Sequence, residues 1–310
     1  MKRTLTLLFL LVLLPLGVSA QETRYEAMPF SRMDRNAATL GMGTAGYASV
    51  DQMAWASFRN AAALSLSPEK IGMAASWNGI SPAAPDGMSH YINVGTGLRF
   101  GKLGIALGAS YIPGHPYDVL YESGVSGGTF QPRDMQAGMG LSYAILKNLS
   151  VGVNARFLTQ TLAPERSYTA FAGDISVLYR VSGLSVSAGL SNIGTPVSSN
   201  SGISYPLPTS VTAGACYRLD FADVHSVTAA LDADYFLSGR FTGAVGVQYC
   251  ALDKFLVRAG YHLGTPGSVL PSFFTLGAGV KLSGVRLDVA YLGGNDLLGN
   301  SLSASLAFTF

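Results

Sequence analysis

From Glu69 onward, the chain consists of short segments in which apolar and polar side chains alternate, each followed by a turn. The last segment, residues 300–310, places Leu302, Leu306 and Phe310 on one face and mostly serines on the other. Strict alternation is the pattern of β-strands whose two faces meet different surroundings. An amphipathic helix repeats every 3.6 residues rather than every two, so the pattern predicts an antiparallel all-β protein.

The composition indicates what lies on the two faces of these strands. Hydrophobic residues make up 48% of the chain and charged residues 12%, against about 25% charged in soluble domains. Beyond residue 20 the chain contains no apolar run of the length a membrane-spanning helix needs. A sheet is stable in lipid when it closes on itself, because an open edge leaves backbone groups without partners. We therefore expect a closed transmembrane barrel.

Counting the alternating segments gives fourteen predicted strands, an even number as in bacterial single-chain barrels. Their ranges are 69–79, 90–100, 103–112, 133–145, 149–159, 167–180, 183–193, 207–219, 224–236, 239–250, 254–263, 271–282, 284–292 and 300–310.

The positions of charged residues test this assignment, because Arg or Lys facing lipid at the midplane costs about 2–4 kcal/mol. In residues 224–236, Asp232 and Asp234 lie opposite the apolar face, and in residues 284–292 Arg286 and Asp288 do the same. Seven more charged residues take the polar face: Arg99, Arg156, Asp174, Arg180, Arg218, Arg258 and Lys281. The pattern predicts a polar, charged interior.

Connection lengths predict the orientation, because such barrels have short periplasmic turns and long external loops. With Phe310 in the periplasm, the short connections fall on the periplasmic side and the longest loop, residues 113–132, is external. Five residues of this loop form a candidate external contact surface: His115, Tyr117, Asp118, Tyr121 and Glu122. The alternative is a loop without a contact role.

The chain divides into three predicted parts. Residues 1–20 carry Lys2 and Arg3, an apolar run and a small-residue cleavage site, as a secretory signal peptide does. Residues 21–68 do not alternate and are rich in Ala, Gly and Met, so we expect them to pack inside the barrel or plug its periplasmic mouth. Residues 69–310 form the barrel, which we expect in the outer membrane of a Gram-negative cell.

Residues 41–46, Gly-Met-Gly-Thr-Ala-Gly, match the spacing of a dinucleotide fingerprint. A true fingerprint follows a buried strand in a βαβ unit, and no such unit surrounds this one. We interpret Gly41, Gly43 and Gly46 as positions where the backbone packs tightly within the barrel.

No residue pattern indicates catalysis, a metal or a cofactor. His90, His115 and His262 are expected at the external end with Asp86 and Asp118, where a surface protease would carry its residues, but no triad or metal spacing joins them. The net charge of +2 argues neither for nor against a nucleic-acid partner, and no Lys/Arg-rich patch appears, so we expect no nucleic-acid partner. We therefore expect a protein that is not an enzyme.

Several short motifs resemble those of the PorV/PorQ family of Bacteroidetes outer-membrane proteins, which are themselves similar to FadL-type fourteen-stranded barrels. The first is residues 34–46, with Asp34, Arg35 and the glycines named above, and the second is residues 58–64 around Asn60. Ala61 departs from the pattern, because the family has Pro there. Further matches lie at residues 28–30, 128–132, 149–157, 191–194 and 205–208.

This resemblance implies a component of the type IX secretion system that receives cargo by its C-terminal domain and passes it to the surface attachment machinery, including the sortase and the translocon. The alternative is a FadL-type transporter of small hydrophobic molecules, in which the N-terminal segment is a hatch and a lateral gap opens to the membrane. Five glycines on inward faces mark either room for a ligand or close packing: Gly95, Gly97, Gly138, Gly140 and Gly152.

Overall fold

A computed structural model of the chain describes residues 25–80, 87–121, 124–199, 202–265, 268, 270–294 and 300–310. The predicted signal peptide lies outside these residues. Fourteen strands form one closed antiparallel barrel. In chain order they are β1 (Ile71–Ile80), β2 (Ser89–Phe100), β3 (Leu103–Pro113), β6 (Arg133–Leu146), β7 (Leu149–Ala163), β8 (Arg166–Val181), β9 (Leu184–Gly194), β12 (Ser210–Phe221), β13 (His225–Phe236), β14 (Phe241–Ala251), β15 (Phe255–Gly264), β16 (Phe273–Leu282), β17 (Val285–Gly293) and β18 (Ser301–Thr309).

The fourteen predicted strands are confirmed, with ends that shift by a few residues. The largest shift is at the end of β7, which runs to Ala163 rather than to residue 159. β12 begins at Ser210 rather than at residue 207. Leu207 is buried instead in an apolar cluster with Met28 and Phe30.

Two further hairpins lie in connections that the sequence analysis treats as loops. Strands β4 (Tyr117–Leu120) and β5 (Ser126–Phe130) pair within the longest connection, and β10 (Val197–Ser198) pairs with β11 (Ser204–Tyr205). Neither hairpin belongs to the barrel sheet.

The barrel closes where the first strand meets the last. β1 pairs with β18 from Gly72 opposite Thr309 to Gly79 opposite Leu302, and its other edge pairs with β2. Every barrel strand therefore has two neighbours, and the sheet has no free edge. Among the described residues, none of the helices has the length and apolar character needed to cross a membrane.

Side chains alternate as predicted between the outside and the inside. On β17, Leu287 and Val289 are about half exposed, whereas Asp288 between them is 2% exposed. Outward aromatic side chains form two belts. One lies near the short turns (Phe100, Tyr143, Tyr217, Phe255) and one near the longer connections (Trp77, Tyr111, Phe241, Phe274). Two aromatic belts around an apolar band are typical of barrels in lipid.

The described part of the N-terminal segment contains four short helical pieces, Pro29–Arg32, Ala37–Leu40, Met53–Phe58 and Ala61–Leu66, joined by turns and irregular residues. Two asparagines cap the N-terminal ends of helical pieces in this segment. The side-chain oxygen of Asn36 accepts from the Ala38 N–H, and that of Asn60 accepts from the Ala62 N–H, each at 3.1 Å. These N-caps satisfy donors that a buried helix start would otherwise leave unpaired.

Candidate functional site: the barrel interior

Residues 28–66 occupy the interior of the barrel. Their hydrogen bonds reach strands on opposite sides: Ser76 Oγ of β1 to Arg35 O (2.5 Å), Ser150 Oγ of β7 to Ala62 O (2.6 Å), Asn60 Nδ2 to Ser187 Oγ of β9 (2.9 Å) and Gly43 N to Thr275 Oγ1 of β16 (2.8 Å). One segment can reach all these strands of a closed barrel from the inside alone. We call residues 28–66 the plug segment.

A cluster of charged groups fixes the plug segment to β13. Arg59 donates to Asp34 within the segment at 2.7 Å and to Asp232 of β13 at 2.6 Å. The backbone N–H groups of Gly46 and Tyr47 donate to the same Asp232 carboxylate, each at 2.8 Å. Asp232 therefore satisfies three donors of the plug segment at once.

A second ion pair of the same region joins Arg32 to Asp234 at 2.7 Å, with the guanidinium of Arg32 over the ring of Phe236. We call Arg32, Arg59, Asp232 and Asp234 the β13 charge cluster. Buried charges persist in proteins when they are paired and hydrogen-bonded. Each member of this cluster forms an ion pair with a side chain of opposite charge.

Arg35 fixes the plug segment to the opposite wall. Its guanidinium donates to Gln136 Oε1 of β6 at 2.8 Å and to Ser110 Oγ of β3 at 3.2 Å, and it lies 4.9 Å from the ring centroid of Phe58. Arg35 is 5% exposed. The predicted motif residues Arg35 and Asn60 therefore contact the wall through their side chains. The Asp34 carboxylate pairs with Arg59 within the segment, and its backbone carbonyl accepts from Asn78 Nδ2 of β1 at 3.2 Å.

The wall contributes its own charge pair. Arg156 of β7 is paired with Asp174 of β8, and Asp174 also accepts from the backbone N–H of Asn192 at 2.7 Å. Asn192 has a positive φ of 57°, a conformation for which Asn is suited because its short polar side chain bonds locally. Predicted inward charges on these strands are thus confirmed.

His262 lies near the end of β15 that leads into one of the longer connections. Its side chain is buried inside the barrel, with Nδ1 2.9 Å from Thr44 Oγ1 and the ring stacked on Phe273. His90 lies at the start of β2, where Nδ1 accepts from Trp77 Nε1 at 3.2 Å. Asp86 lies outside the described residues. In the part of the chain that the structure describes, no group of three or more metal-ligating side chains occurs.

Inward glycines of the wall make room for the plug segment. A Cβ on Gly95 would overlap the carbonyl of Ala54, and one on Gly152 would overlap the backbone of Ala62. Gly43 has φ +67°, and its missing Cβ would lie 2.5 Å from Tyr261 N. These glycines serve close packing, and the space beside them is filled by the chain itself rather than by a ligand.

A small polar cavity of about 90 Å³ lies inside the barrel between the plug segment and the wall. Arg32, Asp34, Arg35, Tyr47 and Asp234 line it, with other polar residues. A buried water needs about 10–15 Å³ of such volume, and ligand pockets measure about 300–1,000 Å³. The cavity therefore holds a few waters and has no room for an organic ligand.

An apolar groove of about 940 Å³ lies on the outer face of the barrel. Its floor includes four outward alanines (Ala75, Ala109, Ala137, Ala155), and its sides include Met73, Leu107, Met139, Phe157 and Phe308. We call this the outer groove. On the inner side of the same wall lie Gly95, Gly108 and Gly138, which are paired side by side on β2, β3 and β6.

The plug segment places two aromatic rings directly behind the outer groove. Trp55 and Phe58 have ring centroids 6.2 Å apart, and a Cβ on Gly108 would overlap the Phe58 ring. One layer of backbone thus separates an apolar patch inside the barrel from an apolar groove outside it.

Four of the five predicted contact residues of the longest connection lie in the part of the chain that the structure describes, and these four are exposed or half-buried. Tyr117 and Asp118 belong to β4. The Tyr117 hydroxyl donates to Leu162 O at 2.8 Å, and Asp118 accepts from Thr129 Oγ1 at 3.0 Å. Tyr121 is 60% exposed, and His115 precedes β4 and is half-buried. Glu122 lies outside the described residues. Their role in contacting a partner stays a prediction.

Together these features define a plugged fourteen-stranded barrel with an apolar outer surface. Sequence comparison finds no matching protein family and no matching curated protein. Solved structures do match over nearly their whole length. The toluene transporter TbuX of Ralstonia pickettii has 15% identity and a TM-score of 0.61, with 88% of this chain and 97% of that one covered.

Two further structures agree with this one. The toluene transporter TodX of Pseudomonas putida has 13% identity and a TM-score of 0.59, covering 89% of this chain and 97% of that one. A FadL homologue of Pseudomonas aeruginosa has 13% identity and a TM-score of 0.53, covering 89% and 98%. The fold of this chain is therefore that of the FadL-like outer-membrane barrels.

Proposed function

We propose that this protein is an integral outer-membrane barrel that passes small apolar molecules, as a FadL-type transporter does. The observation that carries the proposal is the outer groove. Trp55 and Phe58 lie directly behind this groove, on the inner side of the wall that contains the paired glycines. The similarity in fold to two toluene transporters supports it. A transporter of small hydrophobic molecules is the alternative that the sequence leaves open, and we now prefer it to the secretion role.

The proposed route begins at the end of the barrel with the longer connections. An apolar cluster lies inside that end and includes Met28, Phe30, Ile112, Leu158 and Leu207. Below it the interior is polar and charged, an environment that disfavours an apolar molecule. A shift of the helical piece Met53–Phe58 would join the apolar cluster to the wall behind the outer groove. The route also requires the paired strands β2, β3 and β6 to separate locally at their glycines, so that the molecule leaves sideways into lipid.

Filling the outer groove tests this route. Ala109 and Ala137 face outward and pair across β3 and β6. We expect the double variant Ala109→Trp, Ala137→Trp to reduce toluene uptake by intact cells to the level of a strain without the protein, because the two indole rings occupy the groove. The barrel itself should fold, since the outward face of such barrels is an apolar band that accommodates large apolar side chains. Uptake of radiolabelled toluene measures the effect.

The matched control is Ala259→Trp, which adds the same ring to the outward face of β15, away from the outer groove. It should leave uptake unchanged. Normal uptake by the Ala109→Trp, Ala137→Trp variant would contradict the lateral route, and equal loss in the control would indicate a general defect.

The second candidate function is a docking platform for type IX cargo, with the sortase and translocon components as further partners. The β4–β5 hairpin favours it, because the hairpin has edges outside the barrel sheet and carries exposed apolar side chains, Leu120 at 72% and Val125 at 62%. An exposed strand edge can accept a strand from a partner.

Replacing residues 118–129 with a short Gly-Ser linker separates the two candidates. For the docking role we expect cargo to stay in the periplasm or to be released unattached, while toluene uptake is unchanged. Immunoblots of periplasm, cell surface and medium measure this. Normal surface attachment of cargo in the linker variant would contradict the docking role.

A further inference from the structure

The lysines of this chain lie together at one end of the barrel. The chain has six lysines. Lys2 lies outside the described residues, and the other five lie in or beside the short turns: Lys70 before β1, Lys102 between β2 and β3, Lys147 between β6 and β7, Lys254 between β14 and β15, and Lys281 at the end of β16. The connections at the other end contain no lysine in the sequence.

These five side chains are exposed. None of the eight ion pairs between described residues uses a lysine. The arginines inside the barrel behave differently, because Arg59, Arg156 and Arg258 each pair with an aspartate. The lysines therefore do not hold the fold together through ion pairs.

The five lysines lie at the level of an aromatic belt. Phe100 directly precedes the turn that contains Lys102, and Phe255 directly follows Lys254; both rings are more than half exposed on the outer face. Aromatic belts mark the level of lipid headgroups. A lysine beside such a belt can lay its hydrocarbon stem along apolar surface and extend its ammonium to the headgroups.

Acidic groups at this end are concentrated on one side. Asp220, Asp223 and Asp253 lie on or between β12 to β15, and Asp220 is already bonded to Arg218 at 2.7 Å. Glu69 lies beside Lys70, and Asp51 is exposed on the plug segment. The turns that contain Lys102 and Lys147 carry no acidic residue. The rim below β2, β3, β6 and β7 is therefore cationic.

We propose that this rim binds the headgroups of anionic phospholipids, with Lys102 and Lys147 as its main contacts. Lys102 and Lys147 lie on neighbouring turns at the depth of the aromatic belt, which is the level of the lipid headgroups. The charge density of an anionic lipid surface attracts basic side chains next to a membrane segment. The inference goes beyond the proposed function and does not depend on what crosses the barrel.

Sequence order hides this surface. The lysines are far apart along the chain, so no Lys/Arg-rich run appears, and closing the barrel brings successive turns to one rim.

The test uses a double variant, Lys102→Gln and Lys147→Gln in one chain. The control is a second double variant, Arg133→Gln and Arg166→Gln, which removes two exposed arginines from the other end of the same sector. Each protein is reconstituted in vesicles of three parts phosphatidylcholine and one part phosphatidylglycerol, extracted gently, and analysed for retained lipid. Slower gel mobility after boiling confirms that each variant is folded. We expect the wild type and the arginine control to retain phosphatidylglycerol above its share in the vesicles. The lysine variant should retain the vesicle ratio.

Raising the salt from 0.05 to 0.5 M in the extraction should remove the wild-type enrichment, because screening shortens the reach of exposed charges. Three results would overturn the proposal: no enrichment for the wild type, equal loss in the lysine variant and the arginine control, or unchanged phosphatidylglycerol with lost binding to isolated peptidoglycan in the lysine variant. The last result would assign the rim to a periplasmic polymer.

Discussion

Asp232→Ala is expected to release the plug segment from β13 and to convert a closed barrel into a conducting one. The substitution removes the acceptor of Arg59 and of the Gly46 and Tyr47 N–H groups, all inside the barrel. Breaking a buried ion pair on one side costs about 3–5 kcal/mol. We expect the lower end of that range, because Arg59 keeps its bond to Asp34.

Two measurements check this prediction. Single-protein recordings in planar bilayers should show little ion conductance for the wild type, whose interior cavity is about 90 Å³, and frequent openings for Asp232→Ala. Urea titration in vesicles, followed by the mobility of unboiled protein on gels, measures the loss in free energy of unfolding.

The control uses the exposed ion pair between Asp220 and Arg218, in which Asp220 is 68% exposed. Asp220→Ala should cost about 0–1 kcal/mol, as exposed pairs do, and should leave conductance low. Wild-type conductance and stability in Asp232→Ala would show that the β13 charge cluster does not hold the plug segment.

Gly260→Ala is the second substitution with a large expected effect. Gly260 faces inward on β15, and a Cβ there would overlap the backbone of Met42 and Gly43. Its partner across the strands, Gly246, faces Met42 as well. Since the obstacle is backbone rather than a flexible side chain, the plug segment cannot fit beside an alanine. Overpacking of this kind costs about 1–3 kcal/mol or more.

Limited proteolysis reports on this variant. The plug segment contains Arg32, Arg35 and Arg59, so trypsin should cut within residues 28–66 of Gly260→Ala and leave the wild type intact; mass spectrometry identifies the fragments. Gly243→Ala on β14 is the control, because its Cβ would meet nothing closer than 3.7 Å. Trypsin resistance of Gly260→Ala equal to that of the control would contradict the packing of Met42 against the wall.

The barrel could be predicted from the sequence because each strand carries its own evidence. Along β17, Arg286 and Asp288 alternate with Leu287 and Val289, and lipid on one side with polar groups on the other requires that order. Such a pattern is local, so each strand and its two faces can be predicted from one short segment of sequence. Strand ends are less well specified, as the later start of β12 illustrates.

The arrangement inside the barrel could not be predicted in the same way. Arg59 and Asp232 are 173 positions apart, and no local pattern reports that they meet. The glycines of the wall left two interpretations open, and the position of residues 53–62 decides between them. His262 lies near the end of β15, within a strand that the alternation predicts, but no local pattern reports that its ring turns inward to Thr44.

The β4–β5 hairpin had a local signal that length alone obscured. Tyr117 and Phe130 pair across it, and Gly124, with a positive φ of 77°, lies in the connection between its strands. Aromatic residues flanking a glycine turn are typical of hairpins, so the connection of residues 113–132 could have been divided.

The central claim is that apolar side chains of a closed barrel face lipid while its charged side chains face an interior filled by the plug segment. Spin labels placed one at a time at residues 285–291 of β17 in vesicles test it most directly, through collisions with oxygen, which concentrates in lipid. The account predicts high oxygen collision rates at 287, 289 and 291 and low rates at 286, 288 and 290. Equal rates at neighbouring positions, or high rates at 286 and 288, would contradict it.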